Sequence, residues 1–558
     1  MKQQKGIRRN AIHKRYVLEA HPIIQTYIEK LGVTEIIGAY IGKDQRAKLG
    51  CEKVLALMFH NVLTSPLPLY EIKDWLEPLD EEMLGLTSSE AAFIQDDRVG
   101  KALEDFYNGR HKDVFFRLAL RAIKMFDLNC SQIHQDTTTV TLTGKYKDWI
   151  ASESLTFGHN KDHRPDLKQL VLGMSVTADG AVPLVHQVYS GNKTDNRVHV
   201  ENHQRLRKLL QRSDFIYVAD CKLATESNLR KITMCGGRFV TVMPGTWDED
   251  KKFKKQVLEG KMKWRHLLSR RNNRKPESKK DCYYLAQGQY STSQGYCLLW
   301  IRSTQKAEQD AETRTRHIEQ ALEELRELQT KLNRYKLKTK EAIKIAVDTI
   351  SKAHKSQKLI AVTIHKHKAC STKYNKRGRP APNDRGRKIW SNYFSMSISI
   401  NDDAIQEAIL TEGIFPLITN IETDYTPKQI LEIYKYQPFL EKRHSQLKTN
   451  QLISPVFLKK AERVVAILHV HVMALMIATL IERQLRIAMK RNAIESLPIY
   501  PEGKPCKYPT IYDVVRLFRG VERYEVEHSD KMIVFPAELN KIQKQVLGFL
   551  EVPISIYQ

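Results

Sequence analysis

Apolar and polar positions recur at helical spacing through the first 126 residues, in stretches such as "HPIIQTYIEKLGV", "RAKLGCEKVLALMFHNVL", "PLYEIKDWLEPL", "DDRVGKALEDFYNG" and "VFFRLALRAIKMF". Spacings of three and four gather apolar side chains on one helix face, so an all-helical region is predicted there. Short helices with tight turns suit a helix-turn-helix-like module. The period then changes to two. "SQIHQDTTTVTL" (131–142) alternates and is rich in β-branched residues, which predicts a strand. "QLVLGMSVTADG" and "VPLVHQVYSGN" predict two more, joined as a hairpin by Ala178, Asp179 and Gly180. A helix follows over 195–212, with Val198, Leu206, Leu209 and Leu210 apolar. Next come a short strand, "FIYVAD", ending on Asp220, a helix in "TESNLRKITMCGG" with Thr225 as N-cap, and a strand in "RFVTVMP".

Helical spacing returns from Gln305 to Ile350, where Ile318, Leu322, Leu325, Leu328, Leu332 and Tyr335 form one seam of a helical hairpin or short coiled coil. The sheet-like pattern resumes in "WSNYFSMSISI" and "GIFPLITNI". A helix is then predicted from Thr426 as N-cap, Pro427 at N1 and Gln429 completing a capping box. The run "VVAILHVHVMALMIATLI" (464–481) is the longest apolar stretch. Two histidines interrupt it and it ends at Glu482 and Arg483, so a buried core helix is expected rather than a membrane span. The patterns divide the 558 residues into a helical region (1–126), a first α/β part (127–245), an insertion (246–388), a second α/β part (389–450) and a helical C-terminal region (451–558).

Charge sharpens this division. The net charge is +26, which points to a polyanionic partner, most simply nucleic acid. The segment 246–388 holds 36 Lys and Arg against 16 Asp and Glu, so it carries +20 of that excess. It is the better candidate for contacting phosphates. Within it, Lys376-Arg377-Gly378-Arg379-Pro380 is similar to an AT-hook, in which Arg-Gly-Arg enters a narrow minor groove; a flexible basic loop is the alternative. Arg377 and Arg379 are DNA-contact candidates in either case. His365, His367 and Cys370 offer zinc-ligand types, but the fourth ligand is missing and the alternation reads as a strand. The eight cysteines include no CxxC pair and read as reduced thiols of a cytosolic protein. The basic N-terminus lacks the apolar core of a signal peptide.

Asp136 stands in mid-strand, where Asp is disfavoured, and an acid placed against local propensity often marks a site. Three strands, helix, strand, helix, strand is the order of the ribonuclease-H-like fold. An acid in its first strand and one ending its fourth would face one crevice. The predicted fold class is therefore α/β: a ribonuclease-H-like catalytic core with a mixed sheet, interrupted by a large basic insertion, with helical N- and C-terminal regions. On the helix after Pro427, Tyr434, Gln437, His444 and Lys448 fall within about 60° of Glu441 at ~100° per residue.

These features together carry a family resemblance. "HQDTTTV", "GHNKDHRPDLKQLVLGMSVTADGAVPLVHQVYSGNKTD", "YVADCKLATESNL" and "GIFPLITN", taken with the opening stretch, make the chain resemble a DDE transposase of the insertion-sequence 4 superfamily, insertion-sequence 1634 type, over nearly its whole length. That superfamily carries a Tyr-x2-Arg-x3-Glu-x6-Lys signature on its last core helix. Tyr434, Glu441 and Lys448 match it, Gln437 replaces the Arg, and Pro438 predicts a kink or a helix restart.

The resemblance implies a catalytic set of Asp136, Asp220 and Glu441 holding two Mg²⁺ ions, with Mn²⁺ as a substitute. Hard oxygen ligands suit these ions, and paired metals serve in-line displacement at phosphorus. Asp136 is expected to bridge both metals. The activity implied is release of 3′-OH ends from double-stranded DNA at terminal inverted repeats, followed by joining to target DNA. The partners implied are a homodimer assembled on DNA and no membrane, and the location is cytoplasmic. His163 and Arg164 are positioning or DNA-contact candidates. Lys222 and Lys448 are phosphate clamps or exposed lysines, Tyr434 stacks near a base or packs against the sheet, and His444 is a further DNA-contact candidate. Two other functions fit the same residues: a catalytically silent DNA-binding protein, and a ribonuclease-H-like nuclease that cuts without joining.

Overall fold

The computed structural model describes residues 13–42, 47–144, 146, 149, 153–158, 166–193, 198–271, 280–373, 386–453, 458–528 and 531–558. The chain forms two compact units. One comprises Met1–Thr241, Thr419–Asp424 and Gln429–Gln558, the other Val242–Ile418 and Tyr425–Lys428.

Five strands of the first unit pair in the order Pro183–Ser190, Lys168–Thr177, Gln132–Leu142, Ile216–Val218 and Arg238–Val242. The first three are antiparallel, while Gln132–Leu142, Ile216–Val218 and Arg238–Val242 pair in parallel. This is the ribonuclease-H-like arrangement that the pattern predicts. Strand Lys168–Thr177 is buried along nearly its whole length. A strand covered on both faces loses strict alternation, as "QLVLGMSV" does. The hairpin turn uses Gly180 at φ 87°, a conformation that favours glycine. Helices His199–Leu210 and Glu226–Met234 make the crossovers. The second is capped as predicted, Thr225 Oγ1 accepting from the Asn228 amide at 3.3 Å.

The long helix Ala461–Arg491 is apolar enough to cross a membrane by length and composition, yet its most apolar stretch is 94% buried inside the protein. It packs against helices Cys51–Thr64, Asp96–Asn108 and Lys541–Leu550 and against strand Pro183–Ser190. The ends of the chain are not purely helical. Strand His13–Val17 pairs with Glu522–His528, which pairs with Lys531–Phe535. The first of these pairings joins short strands some five hundred residues apart, so no local signal announces it.

The second unit contains strands Ile414–Thr419, Cys297–Ser303, Asp281–Ala286 and Trp264–Arg270, paired in that order. Beyond them lies a hairpin of helices Thr304–Thr330 and Lys340–Ala353. The predicted seam is broken: Asn333 and Tyr335 adopt φ of 63° and 48°, and Tyr335 is 88% exposed in the turn between the helices. The seam residues Ile318, Leu325, Leu328 and Leu332 are buried and pack with Ile343 and Val347. "WSNYFSMSISI" does not rejoin the core sheet. It lies in Arg387–Ile400, which pairs residue for residue with Ile360–Lys373 as a separate two-stranded ribbon. The second unit therefore runs to Ile418, well past residue 388. Alternation identifies a strand without identifying its partner.

Candidate active site

Strand Gln132–Leu142 supplies Asp136, and the neighbouring strand supplies Asp220. Their parallel register is Gln132 with Ile216, Ile133 with Tyr217 and His134 with Val218. Every pair is 84 residues apart, and so are Asp136 and Asp220. Two residues past the last of these pairs on each strand come Asp136 and Asp220, so the neighbouring strands lead both acids toward the same end of the sheet. The regular strand stops at Val218, but its path is still held. The Ala219 amide donates to Val240 O at 3.4 Å, and Thr241 Oγ1 donates to Asp220 O at 2.7 Å. The Asp220 carboxylate also accepts from the Lys222 backbone amide at 3.0 Å. The Lys222 side chain itself is exposed. The Asp136 side chain is 18% exposed, so it opens onto solvent from a largely buried strand.

The helix bearing Glu441 docks on the Asp136 strand. Its predecessor, Pro427–Tyr434, ends before Lys435, and a new helix runs Gln437–Ser445 with Pro438 in its first turn. Proline lacks an N–H that the first turn would leave unsatisfied, so it suits this restart. A π-helical turn, Gln446–Asn450, follows. The continuous face expected for Tyr434, Glu441 and Lys448 is therefore divided over three segments: Tyr434 precedes the break and Lys448 lies in the π turn. Gln437, Glu441 and His444 remain on one stripe of one helix.

Two members of that stripe touch the Asp136 strand. His134 Nδ1 donates to Gln437 Oε1 at 2.9 Å, and Gln437 Nε2 donates to Gln135 O at 3.0 Å. His444 Nε2 lies 3.8 Å from Asp136 Oδ2. Gln437 is buried and its amide serves both partners at once, accepting from His134 through Oε1 and donating to Gln135 O through Nε2. Burial pushes His134 down to about 4, which keeps the ring neutral. Glu441, between Gln437 and His444 on the stripe, is exposed. Tyr434 lies within the fields of both Asp220 and Glu441. Burial first, then the fields of Asp220, Cys221 and Glu441, raise its phenol well above the usual range, so it remains a protonated donor.

The opposite side of the helix is anchored by a buried ionic network that the sequence reading missed. Arg443 Nη1 donates to Glu482 Oε2 at 2.7 Å and Arg443 Nη2 to Gly180 O at 2.7 Å. Arg486 donates to the same Glu482 oxygen at 3.3 Å, and the Ile511 amide to its other oxygen at 3.1 Å. Glu482 is fully buried. Burial alone would raise its carboxyl, but the two guanidiniums outweigh it and hold the group below its ordinary value. The available signal was an acid closing an apolar helical run.

Among the described residues, no three His, Cys, Asp or Glu side chains converge closely enough to hold a metal ion. The carboxylate oxygens of Asp136 and Asp220, carried on neighbouring strands, are of the donor type that suits a hard divalent cation. Glu441 is solvent-exposed, with the rotamer freedom of an unburied side chain. On the ribbon, His365 and His367 bond to Ser397 and Ser395 at 3.0 and 2.8 Å, and Cys370 falls on the opposite face by strand parity. His163, Arg164, Arg377 and Arg379 lie outside the described residues.

Residues 14–120 match a family described only as a domain of unknown function, DUF4277. No curated protein matches the chain. Among solved structures the chain is similar to a piggyBac transposase synaptic complex with hairpin DNA, with a TM-score of 0.37 and 8% identity over 91% of this chain and 82% of that one. It is also similar to a Mos1 transposase paired-end complex with left transposon end, with a TM-score of 0.15 and 10% identity over 38% of this chain and 62% of that one.

Proposed function

We propose that this protein is a DNA transposase that binds the terminal inverted repeats of its own element, cleaves phosphodiester bonds and joins the freed 3′-OH ends to target DNA. The observation that carries the proposal is that Gln132–His134 pairs in parallel with Ile216–Val218, so the two strands that run into Asp136 and Asp220 are neighbours, and the helix that bears Glu441 is bonded to the Asp136 strand through Gln437. A protein that only bound DNA would gain nothing from placing acids where phosphates approach.

Asp136 and Asp220 would hold divalent cations, with Glu441 turning in as the third ligand. Bound Mg²⁺ or Mn²⁺ would offset repulsion among the acids and supply Lewis-acid activation of a nucleophile and a leaving oxygen at phosphorus. The chain's own residues do the rest. Gln437 fixes the helix to the Asp136 strand. The protonated Tyr434 hydroxyl can donate to a phosphate oxygen and is unsuited to act as a base. His444 and Lys448 follow Glu441 toward the incoming strand, and the helical region before residue 126 reads the element ends. No covalent enzyme intermediate is required.

The test incubates purified protein with labelled element ends and Mg²⁺ or Mn²⁺, beside Asp136→Asn, Asp220→Asn and Glu441→Gln. Wild type releases 3′-OH ends, and each variant binds ends without cutting. Undiminished cutting by a variant would remove that residue from the site. Cutting without joining, when target DNA is supplied, would establish the nuclease alternative instead.

A further inference from the structure

The ribbon formed by Ile360–Lys373 and Arg387–Ile400 is fourteen residues long on each strand. At ~3.4 Å per residue it extends roughly 45 Å. Only its base is packed. Ile360, Phe394 and Met396 are buried against the helical hairpin. Asn333 brackets Phe394 through two 2.8 Å bonds, and Gln329 donates to Met396 O at 2.7 Å. From the pair His367–Tyr393 to the pair Lys373–Arg387, every residue is exposed on both faces. A two-stranded ribbon bare on both sides has no core of its own to stabilise it, so its outer half is shaped for something that lies against it.

Its chemistry says what that is. Lys366, Lys368, Lys373, Arg387 and Lys388 lie on the two strands, and neither strand contains an Asp or Glu. Strand parity places Lys366, Lys368, Asn392, Trp390 and Lys388 on one face. Cations are thus interleaved with an amide that can read base edges and with an indole that is 67% exposed. We propose that this ribbon is a DNA-docking arm that enters the major groove of double-stranded DNA, its lysines and Arg387 meeting the flanking phosphates. The major groove, ~12 Å wide, admits a two-stranded β-ribbon, and the unbalanced positive charge supplies the salt-dependent part of binding. A protein partner for this surface would have to be strongly acidic. The assignment rests on the reading of the chain as a DNA-acting enzyme, but it concerns a surface distinct from the carboxylates.

The experiment compares the full chain with K368S/K373S/R387S/K388S and with the charge-keeping K368R/K373R/R387K/K388R, titrated against labelled duplex DNA at several salt concentrations. The neutral variant is expected to bind at least tenfold more weakly, with the slope of log affinity against log salt reduced by about two to four. The charge-keeping variant should stay within about threefold of wild type. Independently of any substitution, duplex DNA should protect exposed Cys370, the cross-strand neighbour of Trp390, from maleimide labelling. Wild-type affinity and slope in the neutral variant, or an unprotected Cys370, overturns the ribbon assignment. So does a neutral variant that changes only the oligomeric state, which would mark the ribbon as a contact between copies. A wild type that binds DNA through the ribbon but never cuts would leave this inference standing and overturn the proposed enzyme activity.

Discussion

Glu482 and Lys368 both carry full charges, yet their surroundings could hardly differ more. Glu482 is fully buried between Arg443 and Arg486, with both oxygens hydrogen-bonded, and the two guanidiniums share its one carboxylate. Lys368 stands on an exposed ribbon whose strands contain no acid at all. The first arrangement spends its electrostatics internally and fixes a helix in place. The second leaves its electrostatics for a partner. The same contrast appears within the first unit, where neighbouring strands lead into two acids, Asp136 and Asp220, and like charges brought near one another repel.

The contrast can be broken most severely at the carboxylates. Asp136→Asn, Asp220→Asn and Glu441→Gln should each slow DNA cleavage by at least about 10³-fold, about 4 kcal/mol of barrier, in a gel assay of labelled ends, with the melting temperature unchanged. A variant that unfolds would show the acid to be structural.

Glu482→Ala should cost about 3–5 kcal/mol of stability, because two guanidiniums would be left buried without their partner. Urea denaturation measures this. The ribbon substitutions should change stability by only ~0.5 kcal/mol. Equal losses in the two places would erase the distinction between an internally paired network and a docking surface.

Acidity should separate the regions further. Burial pushes His186 down to about 3 and His471 to about 4, and it lowers His469 as well. The rings of His186 and His469 meet beside His111, with the Lys112 and Arg205 cations adding to the depression of His186. Because the folded values lie below the ordinary 6.5, the unfolded chain binds more protons between about pH 6.5 and 4. Stability should therefore fall as pH drops through that window, at up to ~1.4 kcal/mol per pH unit for each such group. Thermal melts across the window test it; a flat profile would mean these rings do not stay neutral in the fold. A modest effect is expected for Thr225→Ala, which removes one helix cap behind Asp220 and should cost about 1 kcal/mol.

Much of the core was legible because its signals are local. Alternation in 131–142, the Ala178–Gly180 turn and the Thr225 cap each follow from a few neighbouring residues, and their order alone implies the sheet. Partnering was not legible. Nothing in "WSNYFSMSISI" says that it pairs with Ile360–Lys373 rather than with the core, and "HKRYV" gives no hint of Glu522–His528. At the candidate site, Asp136 stood out as an acid in mid-strand. The equality of the 84-residue spacing with the strand register became visible only once the pairing was known. Pro438 signalled a helix restart, but the π turn beneath Lys448 and the Arg443–Glu482 anchor depend on packing with a helix that local sequence could not place.

The central claim is that Asp136 and Asp220 share one divalent-cation centre that cuts DNA. Replacing each in turn with cysteine tests it most directly, since a thiolate disfavours Mg²⁺ and accepts softer ions. Both variants should be inactive in Mg²⁺ and recover cleavage of labelled ends in Mn²⁺ or Cd²⁺. Full activity of either variant in Mg²⁺, or wild-type cleavage that persists in EDTA, would contradict the claim.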